Sequence, residues 1–161
     1  MVYRITCVCL GNICRSPMAE VVLRDRLKTA DLDDRVTVDS AGTGGWHIAR
    51  DADSRARETL EEAGYDFHHS ARQFQPDWLD EADLILAMDL ANLTDLHNLA
   101  ETYGREADHI ALFRSFDPVA PADAEVPDPY YGGAEGFVTV LAMVERAAAG
   151  VVDHVSSQMT S

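Results

Sequence analysis

The sequence predicts an α/β fold, a single domain whose four-stranded parallel sheet is flanked by helices on both faces, with a phosphate-binding loop after the first strand. Three observations carry that reading. Short β-branched or wholly apolar runs alternate with segments of helical periodicity along the whole chain, the pattern of a parallel sheet with covering helices. The 161 residues suffice for one ordinary domain and its core, and no repeat, linker or low-complexity tract beyond the alanines at 147–149 divides them. The first strand also runs straight into VCLGNICRSP, residues 8–17, a polar loop that opens a helix.

Each element has its own signal. Residues 3–9 (YRITCVC) form the first strand, and Ser16 with Pro17 starts a helix, since proline is pre-set for the first helical position. Ala19, Val22, Leu23 and Leu27 fall on one face of it. Residues 35–40 (RVTVDS) alternate as a second strand. Asp53 caps a helix lined by Ala56, Leu60 and Ala63 and stopped at Gly64. Residues 84–88 (LILAM) are continuously apolar, as in a strand buried on both faces. Asp89 caps the helix that carries Leu93, Leu96 and Leu99 and ends before Gly104. A fourth strand (HIALF) begins at His109, and a proline-rich loop leads to a closing helix marked by Phe137, Val140, Leu141, Val144 and Val151.

Composition narrows the function classes. A formal charge of −15 excludes nucleic acid and anionic membrane as partners, because both require a basic face. The start of the chain lacks a basic segment followed by a long apolar core, and no later run is long enough to span a bilayer, so a cytoplasmic protein is expected. Three cysteines (Cys7, Cys9, Cys14) at one end do not make a disulfide framework and suit a reducing compartment. A zinc site needs four ligands at familiar spacing, which these lack. No metal and no cofactor is expected.

The opening loop has the parts of an anion cradle. In such a fold it lies at the carboxyl edge of the sheet, where ligands bind. The helix start leaves N–H groups unpaired and a partial positive charge. Gly11 and Asn12 tolerate left-handed backbone angles, so the loop can curl and turn several N–H groups inward. Arg15 supplies a fork for two phosphate oxygens. A net acidic protein can thus hold a dianion by local dipoles and one guanidinium. The same field favours the thiolate of Cys9, which under phosphorus invites in-line attack and a phosphocysteine. As an inert core cysteine, Cys9 would leave Gly11, Asn12 and Arg15 without a reason; Cys7 is read as core.

Cys9, five intervening residues, then Arg15 and Ser16 make the C-x5-R-[ST] signature of cysteine-dependent phosphatases. With LGNIC as the five, the chain resembles the low-molecular-weight protein tyrosine phosphatase family. The resemblance runs from Val2 to about Val155 and includes SAGT at Ser40, WH at Trp46, ARQ at Ala71, AMD at Ala87, NL at Asn92 and DPYY at Asp128. It implies one such phosphatase domain over residues 1–161, with loop residues Leu10, Gly11, Asn12, Ile13, Cys14 and Arg15 cradling phosphate and Leu10 and Ile13 at the rim. It implies phosphotyrosine in proteins, and small aryl phosphates, as substrates, so the partners are tyrosine-phosphorylated proteins; the chain is expected to act as a monomer or weak homodimer. One stretch departs from the family: residues 49–51 (ARD) stand where relatives often carry Gly and Pro.

The leaving oxygen needs a proton. Asp128 stands between Pro127 and Pro129, which stiffen the backbone. On its residues alone, DPYYGG is equally a simple turn; the resemblance assigns Asp128 the role of general acid and then base. Holding a proton there beside a thiolate and a phosphate dianion predicts an acidic pH optimum. Trp46, among glycines and outside any periodic stripe, reads as exposed, and with Tyr130 and Tyr131 it can wall a slot deep enough for phosphotyrosine and too deep for phosphoserine. Tyr131 is alternatively a structural residue or a site of phosphorylation. By resemblance, Asn12, Ser16, Ser40 and His69 form a hydrogen-bond network supporting the loop. On residues alone, Ser16 is equally a helix cap, Ser40 a turn residue and His69 solvent-exposed. Cys14 either fills the loop interior or pairs with Cys9 in a protective disulfide.

Two other readings stand beside the phosphatase. An arsenate reductase begins with the same thiolate attack, but an internal thiol relay needs cysteines downstream, and none follows Cys14. A phosphotyrosine-binding module without turnover needs neither Cys9 nor Asp128.

Overall fold

A computed structural model of the chain describes residues 2–160. Four parallel strands form its centre: β1 (Tyr3–Cys9), β2 (Val36–Gly42), β3 (Leu84–Ala87) and β4 (Ile110–Leu112). Their spatial order is β2-β1-β3-β4. Strand side chains alternate between faces: Ile5, Cys7 and Cys9 of β1, with Leu84 and Leu86 of β3, enter one core layer. Val8, Ile85 and Ala87 enter the other. Burial on both faces is why the central strands read as unbroken apolar runs.

The first layer is closed by α1 (Arg15–Thr29), α2 (Ser54–Glu62) and α5 (Ala134–Thr160), through Met18, Leu23, Leu60, Phe137 and Val144. The second is closed by the short α3 (Trp78–Glu81) and by α4 (Leu90–Tyr103), through Leu79, Leu96 and Ala100. Each fully buried Leu or Phe contributes roughly 1.5–3 kcal/mol of burial. Sequence-encoded caps set the helix ends. Asp53 accepts from the Arg55 N–H at 2.9 Å, Asp89 from the Asn92 N–H at 2.7 Å, and Gly104 ends α4 in the left-handed conformation.

Several boundaries differ from expectation, each for a local reason. β2 runs on to Gly42 because its partner β1 continues to Cys9, directly opposite; Ser40 is therefore a buried strand residue and not a turn. α1 begins at Arg15, and Cys14 occupies the cap position without a side-chain cap, because the Ser16 hydroxyl is engaged elsewhere. Ala63 lies just past α2 and is exposed. Neither α3 nor the 3-10 turn Phe113–Phe116 was foreseen; four residues are too few to display a period. No helix among the described residues is long and apolar enough to cross a membrane. Because β1 is flanked by β2 on one side and β3 on the other, the sheet order reverses at β1, and the crevice this creates opens beyond Cys9.

Candidate active site

Residues 10–14 link β1 to α1, and their carbonyl groups define the loop's shape. The Cys9 carbonyl accepts from the Thr43 N–H and that of Leu10 from the Gly44 N–H, both at 2.9 Å; that of Ile13 accepts from the Asp53 N–H at 2.8 Å. The Asn12 carbonyl lies 2.6 Å from His69 Nε2, which must donate. Four carbonyls are thus turned outward onto surrounding elements. A trans peptide holds its N–H opposite its C=O, so the N–H groups of Leu10, Gly11, Ile13 and Cys14 face the inner side of the curl. Two backbone features make the curl possible. Asn12 adopts φ of 57°, and a side chain at Gly42 would meet the Leu10 carbonyl at 2.6 Å, so only glycine lets β2 approach this closely.

Cys9 Sγ lies at the floor of this curl. It accepts from the Asn12 N–H at 3.3 Å and sits 3.0 Å from Ser16 Oγ. The direction of the second bond follows from its neighbours. Glu20, buried on α1, accepts from the Ser40 hydroxyl at 2.6 Å and pairs with Arg24. Ser40 Oγ in turn accepts from Asn12 Nδ2, which also donates to Ser16 Oγ, both at 2.9 Å. The amide orientation is fixed because Asn12 Oδ1 accepts from the Arg72 N–H at 2.9 Å. With one lone pair engaged by Asn12, Ser16 Oγ has its own hydrogen to give, and its two acceptors are Cys9 Sγ at 3.0 Å and the more distant Ala41 carbonyl at 3.4 Å.

Arg15 is 2% exposed and held by two acceptors: Nη1 donates to Asp89 at 2.6 Å and to the Val126 carbonyl at 3.1 Å. Burial by itself would lower its pKa; the negative fields of Cys9, Asp89 and Asp128 outweigh that and raise it. Asp89 thus serves twice, as the cap of α4 and as the anchor of the guanidinium. Nη1 is used by the protein, which leaves Nε and Nη2 for an oxyanion.

Asp128 projects from the loop before α5 with one oxygen 3.7 Å from Arg15 Nη2 and the other accepting from the Tyr130 N–H at 3.1 Å. The loop is tied at both ends. Val126 donates its N–H to the Met88 carbonyl at 2.7 Å. Arg55, held by Asp53 at 3.0 Å, donates to the carbonyls of Tyr130 and Gly132 at 2.8 and 3.0 Å and lies over the rings of Tyr130 and Phe137.

Above Cys9 opens a cavity of about 300 Å³ lined by the loop residues Leu10, Gly11, Ile13 and Cys14, by Arg15 and Asp128, and by Trp46, His47, Tyr130 and Tyr131. Trp46 is 70% exposed and Tyr131 93%, so both rings stand at the mouth. Cys14 is a free buried thiol whose pKa is pushed up by burial and then by Asp53, Cys9 and Asp128, which disfavours its thiolate. Among the described residues no group of three His, Cys, Asp or Glu side chains could hold a metal ion.

Every residue singled out from the sequence lies in or directly behind this cavity. Asn12, Ser16, Ser40 and His69 form one connected network. Glu20 was missed outright, and the structural parts played by Asp89, Arg55 and His47 were not read from the sequence. Glu20 carried a legible signal, a carboxylate four residues from Ser16 among the apolar positions of α1. Asp89 carried another, an acidic residue at the carboxyl end of a strand, whose capping role is local and whose grip on Arg15 is not. His47 falls in the WH pair beside Trp46, and nothing local shows that Arg55 ties the loop bearing Asp128.

Comparison with known proteins agrees with this architecture. A family described as low molecular weight phosphotyrosine protein phosphatase matches residues 4–161. A low molecular weight protein-tyrosine-phosphatase of Streptomyces coelicolor is 50% identical over 160 residues, 99% of this chain and 97% of the relative. Among solved structures, a protein tyrosine phosphatase from Entamoeba histolytica with Hepes in its active site superposes with a TM-score of 0.90 at 34% identity, covering 98% of this chain and 99% of that one. A Drosophila arginine phosphatase superposes with a TM-score of 0.87 at 29% identity, covering 94% and 96%.

Proposed function

The chain belongs to the low molecular weight phosphotyrosine protein phosphatase family and is a cysteine-dependent protein tyrosine phosphatase, and from that premise we propose that Cys9 is its nucleophile, Arg15 its oxyanion clamp and Asp128 its general acid and base. The Cys9 thiolate attacks phosphorus as the P–O bond to the phenol breaks. Asp128 gives its proton to the departing oxygen, and an S–P bond joins phosphate to the protein. Water then attacks phosphorus, its proton passing to Asp128, and the S–P bond breaks to return the thiolate. The inward N–H groups, with Nε and Nη2 of Arg15, hold the three non-bridging oxygens through both steps, an electrostatic stabilisation that requires no reorganisation. The Ser16 hydroxyl, aimed at sulfur by Asn12, eases departure of the thiolate.

One observation carries this reading: a thiol that accepts from the Asn12 N–H and touches the Ser16 hydroxyl lies beneath outward-turned carbonyls, with Arg15 and Asp128 over the same cavity. The substrates are phosphotyrosyl proteins and small aryl phosphates. Leu10, Ile13, Trp46 and Tyr130 give the cavity apolar walls that suit an aromatic ring better than the guanidinium of phosphoarginine. The domain comprises residues 1–161 and acts in the cytoplasm. Purified protein, in the presence of a chelator, is expected to hydrolyse a phosphotyrosyl peptide and to leave the matching phosphoseryl and phosphoarginyl peptides nearly untouched. Equal rates on the three would overturn the substrate assignment. Asp128→Asn is expected to slow phenyl phosphate by about 10²–10³-fold, and a variant as fast as wild type would remove Asp128 from the mechanism.

A further inference from the structure

A second cavity, of about 350 Å³, lies directly across a ridge from the first and shares two of its walls, Leu10 and Trp46. Its floor is apolar, made by Phe74, Leu96 and Leu99. Its side-chain oxygens, on Asp95, Thr43 and Gln73, are all able to accept. Asp95 is exposed on α4, takes part in no ion pair among the described residues, and is the single charged side chain of the lining. Thr43 Oγ1 is buried without a hydrogen-bond partner. The amide of Gln73, held by donation to the Thr43 carbonyl at 3.2 Å, keeps its oxygen as a further acceptor.

We propose that this cavity is a substrate subsite that takes the basic side chain, arginine or lysine, of a residue within two positions of the phosphotyrosine. The proposal rests on the phosphatase reading and names which phosphoproteins that site prefers. Four facts point the same way. The cavity is continuous with the catalytic cleft over Leu10 and Trp46, so a peptide with its ring against one face of the ridge lays a neighbouring side chain against the other. An extended peptide advances about 3.3 Å per residue, so residues within two positions stay close enough to the phosphotyrosine to reach a cavity that shares its walls. The apolar floor suits the long methylene stem of a basic residue. The carboxylate of Asp95 suits its donor-rich, cationic head and opposes an acidic one, while the unpartnered Thr43 Oγ1 discriminates by no charge.

The test is a set of phosphotyrosyl peptides, alanine elsewhere, carrying arginine, norleucine or glutamate at each of the two positions on either side of the phosphotyrosine. Norleucine keeps the stem and removes the charge. At one position the kcat/KM for arginine is expected to exceed that for norleucine by about threefold and that for glutamate by about tenfold, as for a partly exposed ion pair, and to converge in high salt. In Asp95→Asn the ratio of arginine to norleucine is expected to collapse to about one, and in Asp95→Arg the order of arginine and glutamate to reverse. Equal values for arginine and norleucine at all positions, or a preference that survives Asp95→Asn, would overturn the subsite. p-Nitrophenyl phosphate, too small to cross the ridge, reports the catalytic centre alone. If wild type hydrolyses it while the peptide ratios stay flat, the subsite alone falls; if it does not, the phosphatase reading and the subsite fall together.

Discussion

Asn12 is the residue on which the cradle converges, and replacing it separates two contributions that the structure combines. It is fully buried with φ of 57°, and its side chain makes three hydrogen bonds, to Ser16, Ser40 and the Arg72 N–H. Alanine removes all three at about 1 kcal/mol net each. Alanine keeps a β-carbon in the left-handed region without the side-chain hydrogen bonding that lets asparagine sit there, so the loss is about 3 kcal/mol or slightly more, a large share of the roughly 5–15 kcal/mol that stabilises a typical domain. Glycine loses the same bonds but is at ease at this φ, so Asn12→Gly should be more stable than Asn12→Ala by about 0.5–1 kcal/mol, the reverse of the usual order of these residues. Urea unfolding of the three proteins measures both quantities. Activity should fall by at least about tenfold in both variants, since Ser16 loses the neighbour that aims its hydroxyl at Cys9. If Asn12→Ala equals or exceeds Asn12→Gly in stability, or if the total loss is under about 1 kcal/mol, the network does not hold the loop as described.

Three further outcomes are expected. Arg55→Ala should release the loop bearing Asp128, lowering kcat about tenfold for phenyl phosphate but far less for dinitrophenyl phosphate, whose leaving group needs little help from an acid; an equal loss on both would indicate general damage instead. In Gly44→Ala the new β-carbon would fall 1.8 Å from Trp46 Cζ3, and the exposed ring should swing away, raising KM for aryl phosphates roughly two- to tenfold at unchanged unfolding midpoint. Burial, with Glu20 and Asp39 nearby, pushes the Cys7 thiol up, and burial with Asp53 does the same for Cys14. Both would titrate near about pH 8.5 in the unfolded chain. Because the folded state keeps these protons longer, their contribution is intact below that pH and is lost as pH rises from it towards the folded values. The slope is about 1.4 kcal/mol per pH unit for each thiol, and Cys7→Ala should halve their joint contribution in urea titrations on either side of pH ~8.5.

The parts of the fold legible in the sequence were those set by period and punctuation. Asp53, Asp89 and Gly104 marked helix ends because capping chemistry is local, and LILAM marked β3 because a strand covered on both faces needs apolar residues throughout. What depended on a distant partner could not be read. β2 reaches Gly42 only because β1 lies beside it, which carries the strand past Ser40, where its alternation ends. α1 is buried around most of its first half, from Arg15 to Leu23, since it starts beneath the loop and lies under α5; its apolar stripe was accordingly a weak guide. The loop's chemistry was legible because its cysteine, arginine and flexible residues are contiguous. Arg55 and His47 were not, because their roles exist only after the segment at 128–132 folds against α2 and the loop after β2.

The most direct test of the account is where phosphate sits during turnover. When wild-type protein is quenched in acid while hydrolysing an aryl phosphate, and the peptides are resolved by mass, one phosphoryl group is expected on Cys9 and none on Cys7 or Cys14, with the adduct accumulating in Asp128→Asn. Turnover at a full rate with no adduct on Cys9, or an adduct on another residue, would contradict it.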